Sequence, residues 1–301
     1  MIPVPSTLER RGRATTLLRW VARMLACLLV LGVVAGFAGR LHPVGDTLAL
    51  LRIPLGGMCL LIAACPAPRR DRAALIIAAL LALGTTLPLF GSGQAGGEVT
   101  VYSKNLWYRN SALPELAADI RASGAEVVML QEVSQRNEVI LTALRDTYPY
   151  QHLCRFSSWS GLAVLSAYPI METRCSDRRA AAVARLAGNG QSFWAASVHL
   201  QWPYPYGNAA SAERAVDLLA DLDGPVVMAG DFNIFPWAAS VRGLNRVTGT
   251  STVGPIRPTY WLRGVPIFLD HVHAPGGGSA SYRPLLGSDH AGVLARVNLH
   301  K

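Results

Sequence analysis

Eight side chains that could bind a metal ion or a phosphate group stand at the ends of short apolar runs, or just inside them. One carboxylate or imidazole in such a place usually only marks where a buried strand meets water. A whole set of them predicts strand ends that converge on one polar cleft. The set is Asn105, Glu132, His199, Asp231, Asn233, Asp270, Asp289 and His290.

The stretch VVMAGDFN, residues 226–233, shows this pattern most clearly. Its apolar run predicts a core strand. Asp231 and Asn233 follow at its exit, two positions apart, so extended chain places them on one side. Phe232 between them is expected to turn back into the core, and Gly230 lets the backbone approach a neighbour closely at the bend.

The elements that must position these residues alternate short apolar runs with amphipathic segments from Glu98 onward. This order predicts two packed sheets with helices outside them. Helices are expected at residues 114–123, 138–146 and 211–222. The predicted strands are 99–105, 126–133, 150–156, 160–170, 171–175, 181–188, 191–200, 225–233, 265–274 and 291–299.

Six short motifs occur in a fixed order along this part of the chain: NLW at Asn105, LQEV at Glu132, SGLAVLSAYPI from Ser160, VHL at His199, GDFN from Gly230 and GSDH from Gly287. The ordered set resembles the endonuclease/exonuclease/phosphatase superfamily, which includes pancreatic-type DNases, abasic-site endonucleases, neutral sphingomyelinases and inositol polyphosphate phosphatases. The likeness covers about residues 98–299. It implies an α/β (α+β) fold, a four-layer αββα sandwich of two mixed β-sheets.

The chemistry that this resemblance implies is metal-assisted hydrolysis of a phosphate ester. Glu132 would hold the divalent ion, Mg²⁺ with Mn²⁺ as the alternative, and Asn105 and Asp289 would assist at the metal or the phosphate. Oxygen donors suit such hard cations. Asp270 and His290 match the family's carboxylate–imidazole pair, in which the carboxylate orients the ring and supports its cationic form.

The resemblance gives the remaining residues of the set roles around the attacking water. Asp231 and Asn233 would align that water and bind the phosphate, and His199 would donate to a non-bridging oxygen. Whether Asp231 or His290 is the formal base stays open at this stage.

Two departures from the family pattern bear on the substrate. Abasic-site nucleases have an acidic residue two positions after the asparagine, where this chain has Trp107. DNase-like members pair the middle histidine with a glutamate, and His199 has no clear equivalent. The other histidines of this region, His152, His271 and His273, are expected at the surface or behind the site.

The first 97 residues differ from the rest in composition. They are rich in Leu, Ala, Val and Gly and hold a net charge of +7 out of the total of +9. Three apolar segments, Leu17–Ala38, Thr47–Cys65 and Ala73–Phe90, have about the length that crosses a bilayer. They predict three transmembrane helices and hence the lipid bilayer as a partner. A cleaved signal peptide followed by a hairpin is the alternative, and Arg52 and Pro54 weaken the second segment.

Basic residues lie in the tail before the first segment and in the loop Arg69–Arg72. Basic flanks favour the cytoplasmic side, so the sequence predicts a basic tail at 1–16, a membrane anchor at 17–90 and a Gly-rich linker at 91–97. The catalytic domain, 98–301, is then expected outside the cytoplasm. Arg-rich, Lys-poor usage suggests a bacterium, and thus the periplasmic side of its inner membrane.

The predicted catalytic domain, residues 98–301, is called the body from here on. It is nearly neutral, with a net charge of +2, and offers no basic stripe for nucleic acid. Nucleic acid, a phospholipid headgroup and a small phosphodiester all stay open as the phosphate-ester substrate. The predicted cleft is instead surrounded by aromatic loops, 201–207, 235–237 and 258–262, and no obligate protein partner is evident. The alternative to an enzyme is a membrane-bound binding module. Cys154 and Cys175 are either a disulfide or two buried thiols.

Overall fold

A computed structural model describes residues 7–65, 68–91, 93–94, 96–188 and 190–300 of the chain. Residues 1–6 of the predicted tail and residues 92 and 95 of the predicted linker lie outside this part. The body has two six-stranded sheets, and each contains parallel and antiparallel neighbours. The prediction of two mixed sheets is therefore confirmed.

The first sheet has the strand order β13-β14-β1-β2-β4-β3. Its parallel pair is β1 with β2, and its other pairs are antiparallel. Its strands are β1 (Val99–Asn105), β2 (Val127–Val133), β3 (Tyr150–Arg155), β4 (Gly161–Ser166), β13 (Gly278–Arg283) and β14 (Gly292–Val297).

The second sheet has the order β5-β6-β7-β8-β12-β9, with β7 and β8 as its parallel pair. Its strands are β5 (Ile170–Cys175), β6 (Ala181–Gly188), β7 (Gln191–His199), β8 (Val226–Asp231), β9 (Ser251–Thr252) and β12 (Asp270–Ala274). A separate hairpin pairs β10 (Tyr260–Leu262) with β11 (Val265–Ile267).

Three apolar clusters hold four layers together. One lies between the sheets and includes Val101, Val164 and Val272. A second joins the outer face of the first sheet to α5 (Leu113–Ala122) and α6 (Val139–Ala143), and a third joins the second sheet to α7 (Asn208–Ala220) and α8 (Ala239–Thr248). Amphipathic helices cover each outer face because both faces of these strands are apolar.

The structure differs from the predicted strand at 265–274. Val265–Ile267 belongs to the hairpin, and β12 starts only at Asp270. Pro266 lacks a backbone N–H, and the edge of a small hairpin tolerates this better than a central strand does. Helix α8 and strand β13 were not predicted. Gly243 and Asn245 interrupt the helical pattern of α8, and the sequence of β13, GSASYR, is largely polar.

The N-terminal region forms helices α1 (Thr7–Ala35), α2 (Val44–Ala49), α3 (Arg52–Ala63) and α4 (Arg69–Gly84), with 3₁₀ turns at Ala38–Arg40 and Leu87–Phe90. Helices α1, α3 and α4 share one apolar cluster. In the described residues, one helical stretch, Arg69–Phe90, is long and apolar enough to cross a bilayer by length and composition.

The prediction of three transmembrane helices is therefore not confirmed. The second segment, Thr47–Cys65, is broken between α2 and α3, and the 12 residues of α3 extend roughly 18 Å. Pro54 lies in the first turn of α3, where its missing N–H is tolerated, and it prevents α2 from continuing. The first segment, Leu17–Ala38, lies in α1 and the turn after it.

Cys154 and Cys175 form a disulfide, with their Cα atoms 5.8 Å apart. The bond joins β3, at the edge of the first sheet, to β5, at the edge of the second. It therefore links the two sheets covalently at one side of the sandwich.

Candidate active site

The eight predicted residues lie at one edge of the sandwich. Parallel pairing of β7 with β8 places His199 beside Asp231, and antiparallel pairing of β8 with β12 places Asp270 on the other side of Asp231. In the first sheet, β1 and β2 run parallel, so Asn105 and Glu132 leave at the same edge. The topology thus brings together residues that are up to 185 positions apart in the chain.

Glu132 stands at an irregularity of β2. The register with β4 shifts between Leu130 and Val133, and Glu132 has a φ of +53°. Its Oε2 accepts a hydrogen bond from the N–H of Tyr108 at 3.1 Å, and its Oε1 lies 3.3 Å from the donating Nδ2 of Asn105. Burial raises the pKa of this carboxyl group, against the effect of these donors.

Three hydrogen bonds from two asparagines hold the carboxylate of Asp231. Its Oδ1 accepts from the backbone N–H of Asn233 at 2.8 Å, and its Oδ2 accepts from Nδ2 of Asn105 at 3.0 Å and from Nδ2 of Asn233 at 3.2 Å. Burial raises the pKa of Asp231, while the positive charge of His290 opposes that shift.

Asn233 reaches the cleft by a turn and not by strand alternation. Strand β8 ends at Asp231, and Asn233 has a φ of +51°. The turn is closed by the bond from Asn233 N–H to the Asp231 carboxylate. Phe232 is fully buried, as predicted, and a Cβ at Gly230 would collide with the carbonyl oxygen of Val198.

Asp270 and His290 form a buried pair, with Oδ2 of Asp270 2.7 Å from Nδ1 of His290. Burial alone would lower the pKa of His290. The carboxylates of Asp270 and Asp231 outweigh burial and raise it to about 10, so the ring is cationic at neutral pH.

His199 has the opposite electrostatic state. Burial, together with the charges of Arg179 and His290, lowers its pKa well below the usual range, so this ring is neutral. Its Nε2 lies 3.6 Å from Oδ2 of Asp231 and 3.9 Å from Oε1 of Glu132. Its buried Nδ1 has no hydrogen-bond partner in the described part of the chain, in line with the missing glutamate of DNase-like members.

Asp289 is the one member of the set that is exposed. Its charge contributes to the raised pKa of Glu132. Among the described residues, no lysine or arginine lies within ion-pair distance of Glu132. A half-buried carboxylate with oxygen-bearing neighbours and no lysine or arginine partner fits a hard divalent cation.

Another group of possible ligands at the site, Asp231, Asp270 and His290, has its ligand atoms within 4.8 Å of one another. Nδ1 of His290 is already engaged by Asp270, and the ring is cationic. The short Asp270–His290 bond makes this group a hydrogen-bonded dyad with a neighbouring acid, Asp231. Glu132 remains the metal-binding candidate.

Several residues that the sequence analysis did not single out support the site. Lys104 is fully buried, and its Nζ donates to the carbonyl oxygens of Pro284 at 3.2 Å, Leu285 at 2.7 Å and His290 at 2.5 Å. It thereby holds the loop that bears Asp289 and His290. The sequence feature that could have identified Lys104 is a lysine within a predicted core strand, in a body with almost no lysine.

Ser288 and Thr259 hold the backbone of His290 and of Asp270, respectively. Ser288 donates through Oγ to the carbonyl of Asn105 at 2.7 Å and accepts from the N–H of His290 at 3.0 Å. Thr259 Oγ1 accepts from the N–H of Asp270 at 3.1 Å. Their polar types alone do not distinguish such residues from ordinary loop residues.

Arg179 and Tyr260 complete the walls of the cleft. The guanidinium of Arg179 donates to Ser160 Oγ at 3.2 Å and acts electrostatically on Glu132 and Asp231. The ring of Tyr260 lies 4.8 Å from that of His290. Arg179 thus places a positive charge near these two carboxylates.

The prediction for the other histidines is only partly right. His271 and His273 are buried, not at the surface, and lie 5.2 Å and 5.0 Å from the Phe232 ring behind the site. They face away from Asp270 because successive side chains of β12 alternate in direction. His152 lies beside the disulfide, away from the cleft.

Comparison with known proteins agrees with the motif analysis. The profile of the Endonuclease/Exonuclease/phosphatase family matches residues 101–290. The chain is similar to truncated Caenorhabditis elegans TDP2, with a TM-score of 0.54, 16% identity, and coverage of 65% of this chain and 96% of that one. No curated protein sequence matches it.

Two bacterial structures have comparable similarity. An endonuclease/exonuclease/phosphatase from Bacteroides vulgatus gives a TM-score of 0.56 at 14% identity, covering 65% of this chain and 97% of that one. An endonuclease/exonuclease/phosphatase family protein from Leptotrichia buccalis gives a TM-score of 0.54 at 16% identity, covering 66% of this chain and 99% of that one. At such identities these structures show the fold alone.

The family profile covers more than half of the chain, and it includes every residue of the candidate site. Members of the family are hydrolases of the phosphodiesterase and nuclease type and depend on divalent metal ions. On the strength of the matched profile and the fold, the protein belongs to the endonuclease/exonuclease/phosphatase family.

Proposed function

We propose that the protein is a membrane-anchored, Mg²⁺-dependent phosphoesterase that cleaves phosphodiester or phosphomonoester bonds by attack of water. The observation that carries the proposal is the convergence on Asp231. Oδ2 of this residue lies 3.6 Å from Nε2 of neutral His199 and 3.8 Å from Nε2 of cationic His290. Donors and an acceptor thus surround one point, which is what a phosphate and its attacking water need.

Glu132 would hold the divalent ion, with Asn105 and Asp289 beside it. When bound, the ion supplies positive charge to the phosphoryl and leaving oxygens. Mn²⁺ would fit the same oxygen donors. Asn105 already bridges Glu132 and Asp231, so it couples the position of the metal ligand to that of the proposed base.

Asp231 is the residue placed to take the proton from water. Its carboxylate is held by three hydrogen bonds from Asn105 and Asn233, so its orientation is set before substrate binds. His290 already carries a proton on each nitrogen and therefore donates to the phosphate, with Asp270 supporting its charge. His199 supplies a second, neutral donor to a non-bridging oxygen.

The alternative, a non-catalytic binding module, gains no support from this arrangement. A module that only binds does not require a carboxylate–imidazole dyad oriented from behind by Thr259 and Lys104. Burying charged and polar groups costs folding free energy, so their retention here favours a functional role.

The membrane anchor is supported by the surface of the N-terminal helices. Helices α1, α3 and α4 pack through small side chains such as Ala79 and Ala82 and expose large apolar ones. The exposed set includes Trp20, Met24, Leu28, Leu31, Leu61, Ile77 and Leu80. A bundle with polar or small residues inside and large apolar residues outside suits lipid and not water.

The proposed location is a bacterial inner membrane with the body on the periplasmic side. Arg23 of α1 forms an ion pair of 2.9 Å with Asp71 of the basic segment Arg69–Arg72, at the end of the bundle away from the body. Basic ends favour the cytoplasm. The Cys154–Cys175 disulfide suits an oxidising compartment on the other side.

The test uses the full chain in nanodiscs with bis(4-nitrophenyl) phosphate as substrate. We expect hydrolysis with Mg²⁺, its loss with EDTA, and a fall of about 10²-fold or more in His290→Ala. Glu115→Gln, an exposed acid on α5, is the matched control and should retain activity. Hydrolysis that persists in EDTA would overturn the metal assignment. A folded protein inactive on this diester, plasmid DNA and phospholipid would support the binding module.

A further inference from the structure

The edge of the body that bears the candidate active site is also the edge on which the N-terminal helices dock. The Asp46 carboxylate accepts hydrogen bonds from the N–H groups of Ala239 at 2.6 Å and Ser240 at 3.0 Å, at the start of α8. Trp237 Nε1 donates to the carbonyl of Ala49 at 2.7 Å, and Arg52 donates to the carbonyl of Trp237 at 3.2 Å. These body residues follow Asp231 and Asn233 by a few positions.

This docking is extensive enough to fix the orientation of the body. An apolar cluster joins Ala49, Leu50 and Ile53 to Phe235, Trp237 and Phe268, and Leu89 and Phe90 contribute from the turn after α4. The predicted Gly-rich linker also lies against the body, since Gln94 N–H donates to the carbonyl of Gly278 at 2.9 Å. The catalytic domain is therefore held on the helices and does not swing on a free tether.

Six exposed apolar side chains lie at this edge beside the cleft. We call them the rim: Trp202, Tyr204 and Tyr206 in the loop after β7, and Trp261, Leu262 and Val265 in the β10–β11 hairpin. Their exposure ranges from 38% for Trp202 to 71% for Tyr206. Singly exposed apolar residues are ordinary, but a group of them at the mouth of a site indicates an interaction surface.

The rim contacts the helices directly and reaches the dyad through Tyr260. On the helix side, Tyr204 lies 5.5 Å from the ring of His42, and its carbonyl accepts from Thr47 Oγ1 at 3.2 Å. On the site side, Trp202 lies 6.0 Å from Tyr260, whose ring lies 4.8 Å from His290. The rim therefore spans the distance between the helices and the reacting groups.

The apolar outer surface of the helices continues up to this edge. Leu41 is 88% exposed, and Leu51 and Leu87 are about half exposed, in the turns and helix ends next to the body. If the bundle is in a bilayer, these residues place the interface at the level of the rim. Trp and Tyr are the residues favoured at that level.

We infer that the rim lies in the membrane interface, so that the cleft opens onto the bilayer surface and takes phosphate esters carried by lipids of that leaflet. This inference rests on the proposed function and names its substrate class. The segments 200–207 and 260–267 contain no acidic residue, and Arg263 is exposed at the tip of the hairpin. Such a surface is not repelled by phosphate headgroups.

The experiment uses the full chain in nanodiscs that contain phosphatidylcholine and phosphatidylglycerol. Each preparation is given three substrates: the phospholipid of its own bilayer, soluble bis(4-nitrophenyl) phosphate and, separately, a DNA oligonucleotide. The ratio of the phospholipid rate to the soluble-diester rate is measured. The rim variant is Trp261→Ser with Tyr206→Ser. Tyr150→Ser is the matched control, because Tyr150 is 40% exposed at the start of β3, the end of the sheet opposite the site.

We expect the wild type and Tyr150→Ser to hydrolyse phospholipid, and the rim variant to lose at least tenfold in the ratio of lipid to soluble rate. An unchanged ratio in the rim variant would overturn the role of the rim. Hydrolysis of the soluble diester, or of an added DNA oligonucleotide, without hydrolysis of phospholipid would overturn the lipid assignment and leave the proposed function standing. Inactivity on all three substrates contradicts the proposed function itself.

Discussion

Nδ1 of His290 lies 2.7 Å from Oδ2 of Asp270, and the opposite nitrogen of the same ring, Nε2, lies 3.8 Å from Oδ2 of Asp231. The imidazolium therefore stands between two carboxylates that come from neighbouring strands. Asp270 orients it from behind, and Asp231 faces it across the position where a phosphate and water would bind. The following predictions examine the parts of this arrangement.

The first prediction concerns the variant Asp270→Asn. Asparagine keeps the shape but removes the charge, so the pKa of His290 is expected to fall from about 10 towards its ordinary value. With less cationic ring to bind the phosphate, kcat should fall by roughly 10². Kinetics and an NMR titration of His290 measure the two effects. Asp217→Asn, an exposed acid on α7, is the control. A ring still cationic above pH 8 in Asp270→Asn would contradict the assignment.

The second concerns Glu132→Gln. We expect the variant to lose at least tenfold in Mg²⁺ or Mn²⁺ affinity by calorimetry, because it lacks the charged ligand. In EDTA, however, its melting temperature should stay the same or rise. The pKa of Glu132 is raised by burial, so its charged form costs folding free energy at neutral pH, and glutamine removes that cost. A large drop in melting temperature in EDTA would instead indicate a structural role.

The third concerns Lys104→Met. Methionine fills a similar volume but leaves the carbonyls of Pro284, Leu285 and His290 without their common donor. Unsatisfied buried groups of this kind predict a loss of roughly 2–5 kcal/mol in the free energy of unfolding. Denaturant unfolding of the detergent-solubilised protein measures it. A stability within 0.5 kcal/mol of wild type, taken as roughly the range of neutral surface substitutions, would show that the loop does not depend on this lysine.

The fourth concerns pH and His271. Burial lowers the pKa of His271 to about 4, against an ordinary value of 6.5. A depressed histidine pKa means that the unfolded chain binds the proton first, so stability is complete above pH 6.5 and is lost as the pH falls towards 4. Between pH 7 and pH 5, the titration of His271 is expected to lower the free energy of unfolding by about 2 kcal/mol.

Replacement of His271 by glutamine should remove that share of the pH dependence. Stability curves for wild type and variant, measured from pH 7 to pH 5 in the same buffer, should differ in slope, with wild type the steeper. Burial lowers the pKa of His273 in the same direction, and the neighbouring His271 adds to that shift, so part of the difference in slope comes through this pair. Equal slopes would show that His271 is accessible to protons in the folded state.

Local patterns in the sequence were enough to predict most strands of the body and the positions where polar residues leave them. Burial of β2, β7 and β8 follows from their apolar runs, and Glu132, His199 and Asp231 stand at the ends of these runs. Such inferences succeed because hydrophobic periodicity reflects which side of an element is buried. They fail where a segment is held by distant partners, as at Val265–Ile267 and α8.

The sequence by itself thus determined the strand ends, the candidate site residues and the family. Tertiary structure alone decided that Asn233 enters the cleft through a turn, that Cys154 and Cys175 pair across two sheets, and that Lys104 holds the His290 loop. It also decided that helices α2 and α3 dock beside the active site. These contacts join residues up to about 190 positions apart, and they depend on how whole layers pack, which local sequence patterns do not encode.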